Sequence, residues 1–159
     1  MMLVEVGPVP IKLWLAAEPP QNDDRPEQPG RSVAADSSAL RVLIVEDEFY
    51  IALDIQASLN ALGHSSVGIA VSLDQAVTIA GRERPDIVLM DIRIAGSRDG
   101  IEAAQEIFAR FGIRSVFVTA NTDPQTRRRA AAINPIGFLE KPLTLERLRS
   151  ALDRLREQS

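Results

Sequence analysis

Four short apolar runs in the sequence each end in polar residues that could bind or transfer a phosphoryl group. The runs are VLIVEDE (42–48), DIVLMD (86–91), SVFVTA (115–120) and IGFLEKP (136–142). The polar residues at their ends are Glu46, Asp47, Asp91, Thr119 and Lys141. Runs of this length are typical of buried strands, and ligands bind parallel sheets at the carboxyl ends of the strands. Carboxylates, a hydroxyl and an ammonium would therefore meet at one edge, a combination that suits a divalent cation and a phosphoryl group.

The carboxylates of Glu46, Asp47 and Asp91 would repel one another unless a cation lay among them. Mg²⁺ typically takes one or two carboxylates together with water and phosphate oxygens, so it is the predicted occupant. For Glu46 and Asp47 alone, a solvated turn before a helix is an equally good explanation, because acids are favoured at helix N-termini. That explanation is weaker for Asp91, because a charge that ends a buried central strand needs a partner.

Asp91 is the predicted nucleophile, since a carboxylate can form an aspartyl-phosphate intermediate. Phosphoryl transfer depends mainly on positioning and on neutralised charge. Lys141 would supply a compact positive charge, and the Thr119 hydroxyl would supply a hydrogen-bond donor. Taken singly, Thr119 is explained as a strand-end cap and Lys141 as a surface charge. The positions taken together have no such ordinary explanation.

The segments between these runs have the spacing of amphipathic helices, so strands and helices alternate. Capping residues mark where four of the helices begin: Ser72 with Gln75, Asp99 with Glu102, Asp123 before Pro124, and Thr144. Other predicted limits are a helix at 49–62 followed by Gly63, a weaker strand at 64–70, and strands at 86–91 and 136–140. Residues predicted to face the core include Phe108 in the third helix and Leu145, Leu148, Leu152 and Leu155 in the fifth.

Five strands that alternate with five helices predict an α/β fold with a doubly wound parallel sheet and helices on both faces. Of the two common doubly wound strand orders, five strands fit the flavodoxin-like order 2-1-3-4-5. The dinucleotide-binding alternative lacks its fingerprint. The turn after the first strand reads EDEFY and has no glycine that would let the backbone approach a pyrophosphate.

Composition limits the function classes further. The 159 residues are 45% hydrophobic, enough for one domain with a core. The formal charge is −4, but residues 41–159 carry 16 acids and 15 bases, which gives no argument for binding nucleic acid. Cysteine is absent, which excludes disulfides and thiolate metal sites and is compatible with the cytoplasm.

The N-terminal segment differs from the rest of the chain in composition. Residues 1–17 are apolar, but Glu5 and two prolines interrupt them, which argues against a secretory signal and against a membrane span. Residues 18–40 are rich in Pro, Asp, Ser and Gln, a composition typical of disorder. We predict a flexible leader at 1–39 and a folded domain at 40–159. A start assigned too far upstream and a docking segment around Trp14 are alternatives for the leader.

The motif set resembles the receiver domain of bacterial two-component response regulators, over about residues 40–158. The family pattern is an acidic pair after strand one, a phosphoacceptor Asp after strand three, Thr or Ser and a small residue after strand four, and Lys-Pro after strand five. The matching residues are Glu46 and Asp47, Asp91, Thr119 and Ala120, and Lys141 and Pro142. Phe138 matches the aromatic switch position of the family.

The resemblance implies a magnesium site and a conformational switch. The implied ligands are Asp47 and Asp91 directly, Glu46 through water, and the carbonyl oxygen of Arg93. The Lys141-Pro142 bond is typically cis in the family. Phosphorylation would draw Thr119 inward, Phe138 would follow, and the face made by helix four, strand five and helix five would change.

The loop that follows the acceptor departs from the family pattern. Ile94 and Ala95 stand where Met-Pro is common, and Gly100 comes one position later than the usual glycine. The loop is therefore longer by one residue. Arg93 and Asn121 occupy the variable positions where members of the family tune the lifetime of the phosphoryl group.

Basic residues and the lone histidine have weaker claims to a function. Arg127, Arg128 and Arg129 could dock an acidic partner, but a solvated basic face is about twice as common an explanation for such a run. His64 opens an edge-like strand and is predicted to be structural. The arginines of the last helix could contribute to a phosphorylation-dependent homodimer.

The predicted function is that of a stand-alone cytoplasmic receiver, not of an enzyme that acts on other substrates. It would take a phosphoryl group from a sensor histidine kinase or phosphotransfer protein and signal to a downstream protein, without contacting nucleic acid or membrane. The 17 residues after Pro142 leave no room for an output domain. A relay intermediate or a phosphate sink would have the same sequence features. A hydrolase is disfavoured because no second acid lies two residues beyond Asp91.

Overall fold

The computed structural model describes residues 39–120 and 123–157, which form alternating strands and helices. The strands are β1 (Arg41–Val45), β2 (Ser65–Ala70), β3 (Ile87–Asp91), β4 (Ser115–Thr119) and β5 (Gly137–Glu140). The helices are α1 (Phe49–Ala61), α2 (Leu73–Glu83), α3 (Gly100–Phe111), α4 (Pro124–Ala132) and α5 (Leu145–Glu157). All strands pair in parallel in the order β2-β1-β3-β4-β5, which confirms the predicted fold class and strand order.

Predictions for the leader and for Asn121 concern positions at or beyond the limits of the described chain. Residues 1–38 and 121–122 lie outside the described residues, so the disordered leader at 1–39 and the role of Asn121 stay predictions. None of the helices within 39–120 and 123–157 is long and apolar enough to cross a membrane.

Side-chain caps mark the starts of α2, α3, α4 and α5, whereas α1 begins without one. Asp99 and Glu102 form the predicted capping box on α3, and Asp99 Oδ1 accepts from the main-chain N–H of Glu102 at 3.0 Å. The capping box predicted for α2 is only half present. Ser72 accepts from the N–H of Gln75, but the Gln75 side chain turns back to the N–H of Val71, one residue earlier. Helix starts are therefore predicted correctly even where one of the capping bonds is displaced.

The core consists of two apolar layers, one on each face of the sheet. Every residue of β3 and β4 is buried, and alternate strand residues point to opposite faces, as the pleat requires. Leu43 and Phe117 belong to the layer that includes α2 and α3, whereas Ile44 and Leu89 belong to the layer that includes α1 and α5. Burial on both faces explains why the central strands read as continuous apolar runs.

Two residues predicted to face the core are exposed. Phe108 is 47% exposed and Leu145 is 40% exposed, whereas Leu148 and Leu152 are fully buried. Leu145 lies in the first turn of α5, ahead of the residues that pack on the sheet. Helical spacing predicts the direction of a side chain around the axis, but not whether a neighbouring element covers that direction.

His64 precedes β2 and has the structural role that was predicted for it. Its Nδ1 accepts a hydrogen bond from the N–H of Leu40 at 3.1 Å, which ties the start of β1 to the turn after α1. Burial lowers the pKa of His64, because the half-buried ring loses water that would solvate the charged form.

Candidate functional site

The carboxyl ends of four strands bring the predicted site residues together at one edge of the sheet. The Nζ atom of Lys141, directly after β5, lies 2.8 Å from Asp91 Oδ2 and 2.6 Å from Glu46 Oε2. The N–H of Lys141 donates to the Thr119 carbonyl oxygen at 2.9 Å. Ligand oxygens of Glu46, Asp47 and Asp91 lie within 4.8 Å of one another. The Lys141-Pro142 bond is cis, as the resemblance implied.

The carboxylates of Glu46 and Asp91 are held in the same way. One oxygen of each accepts a main-chain N–H two residues later: Glu46 Oε1 from Glu48 at 3.2 Å, and Asp91 Oδ1 from Arg93 at 3.0 Å. The other oxygen of each faces Lys141. The ammonium therefore bridges two carboxylates whose orientation the backbone fixes. The implied role of the Arg93 carbonyl oxygen stays a prediction, since the contact seen here is made by its N–H.

Burial differs sharply among the three acids. Glu46 is 1% exposed and Asp91 is 6% exposed, whereas Asp47 faces solvent. Burial raises the pKa of Glu46, with a smaller raising effect from the Asp91 charge, and the Lys141 ammonium opposes this shift. Burial also acts to lower the pKa of Lys141, but the bonds to Asp91 and Glu46 outweigh it, so that pKa is raised. The lysine therefore remains charged at neutral pH and compensates part of the negative charge.

These residues fit a hard divalent cation. The donor set consists of carboxylate oxygens, which Mg²⁺ prefers, and the Lys141 charge cannot by itself neutralise three carboxylates. The Glu46 Oε2 contact with Nζ is short but poorly directed, so it is an ion pair rather than a well-formed hydrogen bond. The exposed Asp47 gives the cluster an open side toward solvent. A cation could enter there without disturbing the main-chain bonds that hold the buried acids.

Thr119 and Phe138, the residues of the predicted switch, lie on β4 and β5, and the Thr119 hydroxyl donates its hydrogen bond to the main chain. Thr119 is 6% exposed, and its Oγ1 donates to the carbonyl oxygen of Ala120 at 2.9 Å. Phe138 is half-buried and lies opposite Phe117 in the β4–β5 register, with ring centroids 5.6 Å apart. The hydroxyl would have to exchange its partner before it could bind a phosphoryl oxygen. The switch roles of both residues stay predictions.

Arginine contacts on α4 were missed by sequence reasoning. All three arginines of the run are exposed, as a solvated basic face requires. However, the guanidinium of Arg127 lies over the Phe138 ring, 5.5 Å from its centroid, and Arg129 pairs with Asp99 at 2.9 Å. Consecutive residues on a helix point about 100° apart, so three of them cannot share one surface. That spacing was the signal available in the sequence.

The loop after Asp91 is anchored at several points. Ile92 and Ile94 are buried in the core, and the N–H of Ala95 donates to the Val71 carbonyl oxygen at 3.2 Å. At the end of the loop, Gly100 lies so close to the backbone of Asp91 that a Cβ there would overlap the Asp91 carbonyl oxygen. Only glycine allows α3 to begin at this distance from the acceptor. The sequence located Gly100 but did not show this close approach.

The model of the response regulator receiver domain family matches residues 42–153. This chain belongs to the response regulator receiver family. The receiver is 38% identical over 98 residues to the phyllosphere-induced regulator PhyR of Methylorubrum extorquens, covering 61% of this chain and 36% of that protein. It is 35% identical over 113 residues to the transcriptional regulatory protein PdtaR of Mycobacterium tuberculosis, covering 71% and 55%. The chain thus spans about a third to just over half of these relatives.

A third relative is covered almost completely. Sporulation initiation phosphotransferase F of Bacillus subtilis is 29% identical over 113 residues, which are 70% of the receiver and 90% of that protein. Among solved structures, the signal receiver domain of a modulated diguanylate cyclase from Desulfovibrio desulfuricans G20 matches with a TM-score of 0.70 and 32% identity, over 76% of this chain and 99% of that one. The receiver domain of PhyR from Erythrobacter litoralis matches with a TM-score of 0.67 and 28% identity, over 75% and 91%.

Proposed function

We propose that this receiver accepts a phosphoryl group on the Asp91 carboxylate in a magnesium-dependent reaction. The observation that carries the proposal is the Lys141 ammonium, which lies 2.8 Å from Asp91 and 2.6 Å from Glu46 at the carboxyl edge of the sheet. Asp47 extends the cluster toward solvent. A nucleophile, a fixed positive charge and a set of hard oxygen ligands are the parts that phosphoryl transfer requires.

The donor in this proposal is a phosphohistidine on a sensor histidine kinase or phosphotransfer protein. An Asp91 oxygen attacks the phosphorus atom, the P–N bond to the imidazole breaks, and the imidazole nitrogen leaves with the bonding electron pair and takes up a proton. The product is an aspartyl-phosphate. Asp91 Oδ1 is held by a main-chain N–H, whereas Oδ2 is held by the flexible Lys141 side chain. Oδ2 is therefore the oxygen we assign as the nucleophile, since Lys141 can move to a phosphoryl oxygen as the bond forms.

Asp47 and Asp91 would hold the magnesium ion, with Glu46 assisting from the buried side. The bound ion supplies positive charge against the phosphoryl oxygens. The Arg93 and Glu48 N–H groups keep the two buried carboxylates oriented while the incoming group approaches. This orientation needs no reorganisation during the reaction, which is the usual source of catalytic advantage in such sites.

The signal leaves through the face made by α4, β5 and α5. The Thr119 hydroxyl is bonded to Ala120 in this structure and would turn to a phosphoryl oxygen after transfer. Phe138, which stacks on Phe117 one strand away, would then move into the space that Thr119 leaves. A downstream protein that binds this face in one of the two states would read the phosphorylation. If the donor is a cytoplasmic kinase, the receiver acts in the cytoplasm.

A relay role is the second candidate. The similarity to sporulation initiation phosphotransferase F, of which 90% is covered, favours it. A relay intermediate returns its phosphoryl group to a second histidine, whereas an effector keeps it. The two roles are separated by adding a histidine phosphotransfer domain to labelled phospho-receiver. Rapid movement of the label to the histidine would support the relay, and retention on Asp91 would support the effector.

The proposal is tested with acetyl phosphate as a small phosphoryl donor. We expect the receiver to gain one phosphoryl group with MgCl₂ present and none with excess EDTA, and peptide mass spectrometry should locate it on Asp91. The Asp91→Asn variant should gain none, whereas Asp54→Asn, an exposed residue of α1, should behave as wild type. An adduct on another residue, or one that forms equally well in EDTA, would refute the proposal.

A further inference from the structure

We infer that Arg127 and Arg129 are positioning residues that hold α4 in its resting place and thereby oppose the phosphorylation switch. The inference rests on the proposed function, because it concerns the equilibrium between the resting and phosphorylated states. The two residues lie two positions apart on α4 and contact different parts of the molecule. Arg128 lies between them, is exposed, and provides the matched comparison.

Helix α4 is weakly anchored by its apolar side chains. Among residues 124–132, all of which the structure describes, Ala130 is the single buried side chain. The start of the helix is fixed by Asp123, whose carboxylate accepts from the N–H of Thr126 at 2.9 Å. Burial of one methyl group gives little hydrophobic stabilisation, since the effect scales with the apolar area removed from water. Contacts made by the longer side chains of α4 therefore matter for its position.

Arg127 contacts the aromatic switch residue. Its guanidinium lies 5.5 Å from the centroid of the Phe138 ring, within the distance at which a cation is attracted to an aromatic face. The same ring stacks on Phe117, which is fully buried. Movement of Phe138 away from its present place therefore has to change the Arg127 contact as well as the Phe117 contact.

Arg129 contacts the segment that carries the phosphoacceptor. Its Nη1 atom lies 2.9 Å from Asp99 Oδ2, while Asp99 Oδ1 caps α3 through the N–H groups of Ile101 and Glu102. The two carboxylate oxygens of Asp99 thus have separate tasks, one within α3 and one toward α4. Because Asp99 closes the loop that begins after Asp91, the ion pair joins α4 to the end of that loop.

Both arginine contacts occur together with the hydrogen bond from Thr119 to Ala120, and we take this arrangement as the resting state. A contact made in the resting state and lost in the other state adds to the free energy of switching. Removing it raises the fraction of molecules that are competent for the phosphorylated conformation, and the apparent affinity for a phosphoryl group rises in proportion. An exposed cation–π or ion-pair contact corresponds to an increase of about two- to five-fold.

The test measures the affinity of the receiver for beryllofluoride, a phosphoryl analogue, in MgCl₂ by calorimetric titration. Arg127→Gln and Arg129→Gln should each bind about two- to five-fold more tightly than wild type. Arg128→Gln removes the same charge from the same helix and should bind as wild type does. Arg127→Lys keeps a cation near the ring and should restore most of the wild-type affinity.

A partner variant separates the ion pair from the helix cap. Asp99→Asn keeps a good capping residue but loses the charge, so it should match Arg129→Gln, and the two changes should not add. An equal increase in beryllofluoride affinity in Arg128→Gln would show a general charge effect and overturn the inference. Unchanged or weaker binding in Arg127→Gln and Arg129→Gln would also overturn it.

A second readout keeps the inference testable if the proposed function fails. If the wild-type receiver does not bind beryllofluoride, the proposed function is refuted. Amide hydrogen exchange of α4 without ligand then tests by itself whether Arg127 and Arg129 hold the helix in place. Exchange of the α4 amides should be faster in Arg127→Gln and Arg129→Gln than in Arg128→Gln. Equal exchange in all three variants would refute the inference that the two arginines hold α4.

Discussion

Replacing Lys141 by methionine tests the electrostatic design of the site. The change keeps the length and apolar stem of the side chain but removes the ammonium that lies between Glu46 and Asp91. Glu46 is 1% exposed, so it would be left as a buried carboxylate beside a second acid. Removing one partner of a buried ion pair costs about 3 kcal/mol of unfolding free energy, because the remaining charge is uncompensated. We expect a loss of about this size near neutral pH.

The loss of stability in Lys141→Met should depend on pH because Glu46 titrates. Its pKa is already raised above 4.5 in the folded protein, and loss of the ammonium would raise it further. An acid whose pKa is raised on folding destabilises the protein at high pH, and the penalty disappears as the pH falls and the group is protonated. The pKa of Lys141 is raised from 10.5, so its charge is constant from about pH 5 to pH 7.5. The defect of Lys141→Met should therefore shrink by about 1 kcal/mol or more between about pH 7.5 and pH 5.

Urea unfolding of wild type and Lys141→Met at the two pH values measures this change, with and without excess MgCl₂. Mg²⁺ should stabilise the variant more than the wild type, because the cation replaces the lost charge. Arg128→Gln, which removes an exposed charge, should show neither effect. A defect of the same size at both pH values, unaffected by Mg²⁺, would show that lost packing rather than charge explains it and would refute the electrostatic reasoning.

Further substitutions test the glycine contact and the histidine. Gly100→Ala should destabilise the receiver by about 2 kcal/mol or more and slow its phosphorylation, because the new Cβ would overlap the Asp91 carbonyl oxygen. Gly137→Ala, where a Cβ meets open space, should be close to wild type in the same urea and acetyl phosphate assays, and a large defect there would contradict the packing argument. Burial, with a smaller effect of the Arg156 charge, lowers the pKa of His64 below 6.5. The folded state therefore binds fewer protons than the unfolded state, and the free energy of unfolding falls as the pH drops below about 6.5. His64→Asn keeps an acceptor for the Leu40 N–H but does not titrate, so its urea midpoint should fall less than that of wild type between pH 7 and pH 5; identical profiles would rule out this role.

The fold could be predicted from the sequence because its central strands are buried on both faces. Continuous apolar runs such as IVLMD and SVFVT have few other structural explanations, and glycine and capping residues mark the elements between them. Edge strand β2 was the weaker prediction, and its residues are mostly half-buried, which accounts for the weaker pattern. The parallel topology then places the ends of β1, β3, β4 and β5 together without any further information.

Contacts between side chains that are distant in sequence could not be predicted in the same way. Lys141 was expected to provide a positive charge, but its bridge between Asp91 and Glu46 depends on the register of adjacent strands. The same limit applies to Arg127 and Arg129, which looked like one basic surface and instead contact two different elements. Patterns along the chain fix the direction of a side chain. Its partner is fixed by the distance to the next element, which the pattern does not contain.

The loop after Asp91, which the resemblance predicts to be one residue longer than usual, is fixed at both of its ends. Asp91 itself is held by the β3–β4 pairing and by the N–H of Arg93, and Gly100 brings α3 back against its backbone. Between these points, the side chains of Ile92 and Ile94 are buried in the core and fix the path of the loop. Between these fixed ends the loop passes through Gly96, which has a φ of +112°. A difference from other receivers in phosphoryl lifetime or partner choice should consequently follow the exposed side chains of this loop, whereas acceptance of the phosphoryl group should not.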